Sequence, residues 1–283
     1  MEDFNKLDMD QKIELVTSMY SVPGSVSKEE AMRRLMERID RKEKNIIPGI
    51  HTHRRILYFS AAASIAFVIA LFFVMVDFSR VKIASVPGEQ ILHHMPDGST
   101  VNLNADSEIK YSGKDFNKKR TLQLNGEAYF EVQEGNIFTV ESKNGKVEVL
   151  GTSFNVHSRD DYFKVSCNSG RVLVSSGNHS DTLCRGESLS LINDYYFKYI
   201  DAEIEQSLNW RNGEFYYKST ELRFVLNEIE RQFNVSIETF GIENRLFTGS
   251  FYSGNLDEAI QIVCIPMDLE FEYLGKGKIR IYP

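Results

Sequence analysis

Apolar and polar positions follow four different patterns along this chain of 283 residues, and the changes of pattern divide it into segments. Residues 1–55 show helical spacing, residues 56–76 form an unbroken apolar run, residues 81–200 alternate in the manner of strands, and residues 209–283 mix both spacings. These patterns predict a membrane-anchored multidomain protein. Its parts are a short α-helical segment, one transmembrane helix, an all-β domain built as a sandwich or a wound β structure, and a C-terminal α+β domain.

The first segment contains two predicted helices, at residues 4–20 and 26–44, separated by a turn around Pro23 and Gly24. Ser27 and Glu30 have the spacing of a capping box, which marks the start of the second helix. The helices carry apolar residues at helical spacing, which predict a partner-binding surface made of Ile13, Val16, Met19, Met32, Leu35, Met36 and Ile39.

These two helices are too small to bury both apolar faces against each other, because so short a unit closes too little apolar surface to offset its conformational entropy. A partner protein that accepts a helix in a groove would complete the surface. A solvated tether next to a membrane is the alternative interpretation.

The apolar run at residues 56–76 has no charged residue. At 1.5 Å of rise per residue it would span roughly 31 Å, which matches the hydrocarbon thickness of a bilayer. A buried core helix is seldom apolar around its whole circumference for this length, and a cleavable signal peptide would not follow a polar region of 55 residues. We therefore predict one membrane-spanning helix.

The charged residues on either side of the run predict its orientation. Only Arg80 and Lys82 follow the run closely, whereas many basic residues precede it. Basic residues next to a membrane-spanning helix are preferentially retained in the cytoplasm. The preceding basic residues are Arg33, Arg34, Arg38, Arg41, Lys42, Lys44, Arg54 and Arg55. The sequence thus predicts an N-terminus in the cytoplasm and an exterior region from residue 81 onward.

In residues 81–200, turn sequences separate short alternating runs, which predicts antiparallel strands. The turns include Pro96-Asp97-Gly98, Asn125-Gly126, Asn144-Gly145 and Ser169-Gly170. The stretches predicted to supply inward-facing side chains are 90–92, 101–103, 122–124, 129–132, 147–150 and 172–174.

The pattern of residues 209–283 predicts the element order β-α-β followed by β-α-β-β. Ser219 or Thr220 is the predicted N-cap of the first helix. The apolar residues that define the two helices are Leu222, Val225, Leu226, Ile229 and Phe233 in the first, and Leu256, Ala259, Ile260 and Val263 in the second.

Charge and motifs narrow the function. The net charge of -7 disfavours direct nucleic-acid binding, which needs a surplus of Lys and Arg on one surface. No nucleophile elbow, phosphate-binding loop or zinc motif is present, so we expect no enzyme, no cofactor, no metal and no small-molecule substrate. The histidine pairs His93-His94 and His51/His53 lack the acidic or thiolate neighbours of a metal site.

The exterior region contains Cys167 and Cys184, about 17 residues apart. An oxidising compartment would permit a disulfide between them, worth on the order of 3 kcal/mol in the chain-entropy model. Free, buried thiols are the alternative, and both interpretations stay open at this point.

Several blocks in order resemble the FecR family of transmembrane anti-sigma factors of Gram-negative bacteria, in the form typical of Bacteroidetes. The blocks are VPGEQ (86–90), MPDGSTVNLNADSEIKY (95–111), LNGEAYFEV (124–132), VEVLGTSFNV (147–156), GRVLV (170–174) and RGES (185–188). Residues 209–283 look like the small signalling domain of secretins and TonB-dependent transporters.

The resemblance implies a protein of the inner membrane whose residues 1–55 bind an extracytoplasmic-function sigma factor. Its periplasmic residues 209–283 would receive the signalling domain of an outer-membrane TonB-dependent, SusC-like transporter, through residues that the sequence does not identify. It also implies a candidate self-cleavage between Gly151 and Thr152 by attack of the threonine hydroxyl on the preceding carbonyl. A bend at Gly151 beside an ordinary strand residue is the alternative.

A second function class fits the same segments. A membrane-anchored envelope protein could bind glycan or peptidoglycan through its exterior β domain and use the N-terminal helices only as an anchor. The C-terminal α+β domain favours the sigma regulator, because such a domain has no evident task in a simple anchor.

Overall fold

The computed structural model describes residues 8–19, 27–43, 64–69, 80–192, 195–242 and 245–283. Two units are distinct, residues 1–71 and residues 72–283. The described part of the first unit contains helices α1 (Met9–Met19) and α2 (Lys28–Glu43), and residues 64–69 are also helical.

The predicted transmembrane segment at residues 56–76 lies outside the described residues except for positions 64–69. Within the described ranges, none of the helices combines the length and the apolar character needed to cross a bilayer.

Thirteen strands of the second unit form one continuous hydrogen-bonded system that folds into two facing sheets, which we name sheet A and sheet B. The strands are β1 (Arg80–Ala84), β2 (Ile91–His94), β3 (Thr100–Leu103), β4 (Glu108–Ser112), β5 (Thr121–Glu131), β6 (Phe138–Glu141), β7 (Lys146–Val149), β8 (Ser153–Arg159), β9 (Tyr162–Cys167), β10 (Arg171–Ser176), β11 (His179–Cys184), β12 (Glu187–Ile192) and β13 (Tyr195–Ile200). A short helix, α3 (Phe116–Lys119), joins β4 to β5.

Sheet A has the order β1-β4-β5-β6-β7-β10-β11, and sheet B has the order β2-β3-β5-β8-β9-β12-β13. All neighbours pair antiparallel except β5 and β6, which are parallel. One apolar core fills the space between the sheets, so the domain is a β-sandwich. Its largest fully buried side chains include Phe116, Phe130, Phe138, Phe154 and Phe163.

Strand β5 belongs to both sheets. Its first half pairs with β4 and β6 in sheet A, and its second half, from Gly126 onward, pairs with β3 and β8 in sheet B. Gly126 has φ 113°, and a Cβ there would lie 2.8 Å from Ser107 Cα. Glycine is therefore required at the position where the strand changes sheet.

This arrangement corrects one prediction. Asn125-Gly126 is not a hairpin turn, because both residues lie inside β5. The other three predicted turns connect strands as expected. Residues 96–98 lie between β2 and β3, residues 144–145 between β6 and β7, and residues 169–170 between β9 and β10.

The C-terminal domain begins with α4 (Ile204–Ser207) and a 3-10 turn at Asn209–Asn212. It contains β14 (Glu214–Glu221), α5 (Leu222–Phe233), β15 (Ser236–Thr239), β16 (Leu246–Tyr252), α6 (Leu256–Cys264), β17 (Glu270–Gly275) and β18 (Lys278–Tyr282). Strands β14 and β16 form one antiparallel pair, and β15, β18 and β17 form a second small sheet. A second apolar core lies between these sheets and the two helices.

The predicted order of elements in this domain is confirmed, but the predicted N-cap of α5 is wrong. Ser219 and Thr220 belong to β14, and the helix begins after Glu221 without a side-chain cap. The amide of Leu222 instead donates to the carbonyl of Arg245 at 2.8 Å, so a neighbouring loop satisfies this end of the helix. Two residues in predicted inward-facing stretches, Leu92 and Leu150, are each 62% exposed.

Candidate functional site

Helix α2 presents four apolar side chains to solvent, Met32, Leu35, Met36 and Ile39, which we name the apolar stripe. Each is about half exposed, from 48% for Ile39 to 59% for Met36. Their spacing places them on one face of a helix that is otherwise rich in charge. The amide of Glu30 donates to Ser27 Oγ at 3.3 Å, so the predicted N-cap is present.

Helix α1 carries the rest of the predicted partner-binding surface. Ile13 is 57% exposed and Val16 is 44% exposed. Met19 is the last residue of α1. The apolar faces of both helices are thus exposed in the described part of the first unit, and a surface of this kind is typical of a segment that docks onto a partner.

A second candidate region lies where the outer face of sheet B meets the C-terminal domain. We name this contact the seam. Its centre is Asn104, which is fully buried and lies just after β3. Asn104 Nδ2 donates to Glu127 Oε2 at 2.9 Å and to Glu228 Oε1 at 3.0 Å, so one amide joins a carboxylate of β5 to a carboxylate of α5.

Further hydrogen bonds complete this network. Gln232 Nε2 donates to Asn104 Oδ1 and to Glu228 Oε1, both at 2.8 Å. Arg231 binds Glu228 Oε2 through two nitrogens, the closer at 2.7 Å. On the sandwich side, Glu127 accepts from Asn155 Nδ2 at 2.8 Å and lies 3.3 Å from His157 Nδ1.

Opposing effects act on the two carboxylates of the seam. Burial would raise the pKa of Glu127, but the charge of His157 and the hydrogen bonds from His157, Asn155 and Asn104 lower it to about 2. Burial would likewise raise the pKa of Glu228, and the charges of Arg231 and Arg159 lower it below its usual value. Both groups are therefore held as carboxylates inside the protein.

A cavity of about 440 Å³ adjoins this network. Polar groups of the sandwich, including His157, Lys164 and Ser190, line one side, and aromatic residues of the C-terminal domain, including Tyr217 and Phe224, line the other. Lys164 Nζ pairs with Asp201 Oδ2 at 3.0 Å, so its charge is compensated.

The proposed cleavage site lies in the connection between β7 and β8. Thr152 is 6% exposed, and its hydroxyl is buried without a hydrogen-bond partner among the described residues. A Cβ at Gly151 would lie 2.9 Å from Glu134 Cα, so the close approach of another chain segment explains the glycine. Self-cleavage stays a prediction.

The two cysteines of the sandwich occupy different environments. Cys167 is buried in the sandwich core, Cys184 is exposed at the end of β11, and both are free thiols. Burial raises the pKa of Cys167 to about 11, so its thiolate is disfavoured. Among the described residues, groups of His, Cys, Asp or Glu that could hold a metal ion are absent.

Sequence reasoning missed the seam. Glu127, Asn155 and His157 occupy strand positions that alternate with core residues, which is the pattern of side chains facing water. Glu228 and Gln232 are one helical turn apart beside the apolar face of α5, and this spacing is a weak sign of a shared polar contact.

The comparisons with known proteins fit this architecture. Residues 81–173 match the family model described as FecR protein. The resemblance to the FecR family is therefore confirmed over these residues. The match begins at β1 and ends within β10.

Two solved structures of a proposed anti-sigma factor from Parabacteroides distasonis ATCC 8503 are similar to this chain. One, at 1.65 Å resolution, is 25% identical, has a TM-score of 0.67, and covers 71% of this chain and 98% of its own. The other, at 2.50 Å, is 24% identical with the same TM-score and covers 72% of this chain and 98% of its own. No curated protein matches the chain.

Proposed function

We propose that the chain is an anti-sigma factor whose helices α1 and α2 bind an extracytoplasmic-function sigma factor. The observation that carries this proposal is the apolar stripe of α2, four side chains about half exposed on one face of a charged helix. Such a face is stabilised when a partner covers it. The match to the FecR family and the similarity to a proposed anti-sigma factor support the same role.

The proposed location is the inner membrane, with one span, a cytoplasmic N-terminus and periplasmic C-terminal domains. Its support is the uncharged run at residues 56–76 and the basic residues that precede it. In this arrangement one chain reaches partners in two compartments. A reporter enzyme that is active only outside the cytoplasm, fused after residue 283, should be active, and activity of a cytoplasm-only reporter at that position would refute the topology.

The proposed input is the signalling domain of an outer-membrane TonB-dependent, SusC-like transporter, which would bind residues 209–283. This part of the proposal is supported by the resemblance of those residues to such signalling domains. Binding there would change the affinity of the N-terminal helices for the sigma factor. The chain itself performs no catalysis in this scheme.

The sigma-factor contact is tested with the full chain in detergent and candidate sigma factors purified from the same cell. Leu35→Glu places a charge in the apolar stripe, and we expect it to weaken binding by about tenfold or more, because a buried apolar contact is replaced by an unpaired charge. Arg41→Gln changes the net charge by the same amount away from the stripe on α2 and serves as the matched control.

The two variants should separate in calorimetry or surface-binding measurements. Wild type and Arg41→Gln should bind one sigma factor with similar affinity. Leu35→Glu should bind the same sigma factor more weakly. Equal binding by all three proteins would remove the apolar stripe from the contact. Failure of every extracytoplasmic-function sigma factor of the cell to bind the wild type would refute the function.

A further inference from the structure

We propose that the seam is a releasable joint, at which the C-terminal domain detaches from the outer face of sheet B as a folded unit. The sandwich would keep its own core in the released state. This inference goes beyond the sigma-factor proposal, because it concerns the folded chain alone and stands whether or not either partner binds.

The sandwich and the C-terminal domain have separate apolar cores. The sandwich core is made of residues from Met95 to Leu189, and the C-terminal core of residues from Ile204 to Ile281. Tyr129 of the sandwich packs within the second core, and Tyr162 of β9 contacts Phe224 of α5 with ring centroids 4.8 Å apart. Separation at the seam would therefore leave nearly all of both apolar cores buried, and each part would retain its main source of stability.

Hydrogen bonds between polar groups make up much of the contact at the seam. The hydrogen bonds across the seam include those of Asn104 with Glu228 and Gln232. The amide of Gly88 donates to the carbonyl of Arg231 at 2.8 Å, and Gln90 Nε2 donates to the carbonyl of Trp210 at 2.7 Å. Arg223 of α5 also binds Asp161 of the sandwich through two hydrogen bonds of 2.9 and 3.0 Å. Water can replace each of these hydrogen bonds at a modest net cost. Apolar contacts cannot be replaced in this way.

The closed state of the seam leaves buried polar atoms without hydrogen bonds. Asn155 Oδ1, Arg159 Nε and Trp210 Nε1 are buried without a hydrogen-bond partner among the described residues, and all three residues line the cavity at the seam. Opening would expose these atoms to water, which offsets part of the cost of separation. Because a cavity lies at the seam, separation of the two domains also breaks fewer dispersion contacts than it would at a close-packed interface.

The hinge follows from the contacts on either side of Ala202. Asp201 is held by the sandwich, since its carboxylate accepts from Ser188 Oγ at 2.8 Å and pairs with Lys164. Glu203 is held by the C-terminal domain through Lys218 Nζ at 2.5 Å. Between these anchors one backbone hydrogen bond, from the Ile204 amide to the Asp201 carbonyl at 3.2 Å, spans Ala202, so the proposed pivot is at Ala202.

The experiment measures local opening in the full chain in detergent by hydrogen exchange and by quenching of Trp210, the single tryptophan of the protein. The Gly88 amide reports the seam because its partner is a carbonyl of α5. The amide of Val156 reports the sandwich core. In the wild type, Gly88 should exchange faster than Val156 and through a separate opening event.

Gln232→Ala removes the amide that joins Asn104 to Glu228, and Glu228→Ala removes the carboxylate itself. We expect each to raise exchange at Gly88 and quenching of Trp210 by about tenfold, with Val156 unchanged. Glu230→Ala is the matched control on the same helix, because Glu230 accepts from the Ile237 amide within the C-terminal domain and is not part of the seam network.

The proposal would be overturned if the Gly88 and Val156 amides exchanged at the same rate, through the same opening event, in both the wild type and Gln232→Ala. The seam would then open only with global unfolding. An equal response to Glu230→Ala would also overturn it, since the effect would be loosening of the C-terminal domain itself. If Glu228→Ala does not fold, Gln232→Ala alone decides between the outcomes.

Discussion

The two faces of sheet B are built from opposite kinds of side chain, although the same strands supply both. The inner face carries Phe130, Phe154 and Val156, all fully buried in the sandwich core. The outer face carries Glu127, Asn155 and His157, and the C-terminal domain covers much of it. One face is a permanent apolar contact, and the other is a polar contact whose groups water can also satisfy. Burial alone therefore does not distinguish a structural core from a surface that can be exposed again.

The strongest way to test this comparison is to remove an aromatic side chain from the inner face. Phe130 is fully buried and stacks on Phe154 with ring centroids 5.0 Å apart. Phe130→Ala should lower the free energy of unfolding by about 3–5 kcal/mol, because it removes buried apolar area and leaves a cavity. Urea unfolding followed by circular dichroism measures this loss, and a loss below about 1 kcal/mol would contradict the assignment of a close-packed core.

The next effect concerns the backbone at the point where β5 enters sheet B. Both Gly126 and Gly177 have a positive φ, 113° and 54° respectively. A Cβ added at Gly126 would lie 2.8 Å from Ser107 Cα, whereas a Cβ added at Gly177 would meet open space. We expect Gly177→Ala to cost about 1 kcal/mol and Gly126→Ala clearly more, because only the second adds a steric clash to backbone strain. Equal thermal shifts for the two variants would show that the change of sheet does not require glycine.

The smallest expected effect is a pH dependence of the outer face. The pKa of Glu127 is lowered in the folded state to about 2, so its contribution to stability is fully present above pH 4.5 and is lost as the pH falls toward 2. Glu127→Gln should remove this part of the acid sensitivity. At neutral pH it should lower the free energy of unfolding by about 1–2 kcal/mol. Urea midpoints at pH 7 and pH 3 measure the difference, and an unchanged acid sensitivity in Glu127→Gln would contradict the lowered pKa.

Local pattern was sufficient for most strands and for the apolar stripe. Alternation identified the strands because one side of each faces the sandwich core, and the spacing of Met32, Leu35, Met36 and Ile39 identified one face of α2. The order of elements in the C-terminal domain followed from the same two periods.

The continuity of β5 was not predictable from local pattern. Asn125-Gly126 is a strong hairpin sequence, and only the close approach of Ser107 and the pairing with β8 explain why the strand continues through it. The seam was hidden for a related reason. Polar residues on alternate strand positions predict exposure to water, and their burial depends on a second domain that lies further along the chain.

The position of β5 also has a consequence for the order in which the molecule can be made. Its backbone pairs with β3 and β4, which precede it, and with β6 and β8, which follow it. During synthesis the sandwich therefore cannot close until residue 159 has emerged, and until then β5 has unpaired edges that favour aggregation. A nascent chain stalled before β8 should depend on chaperones, whereas one that is released after β13 should not.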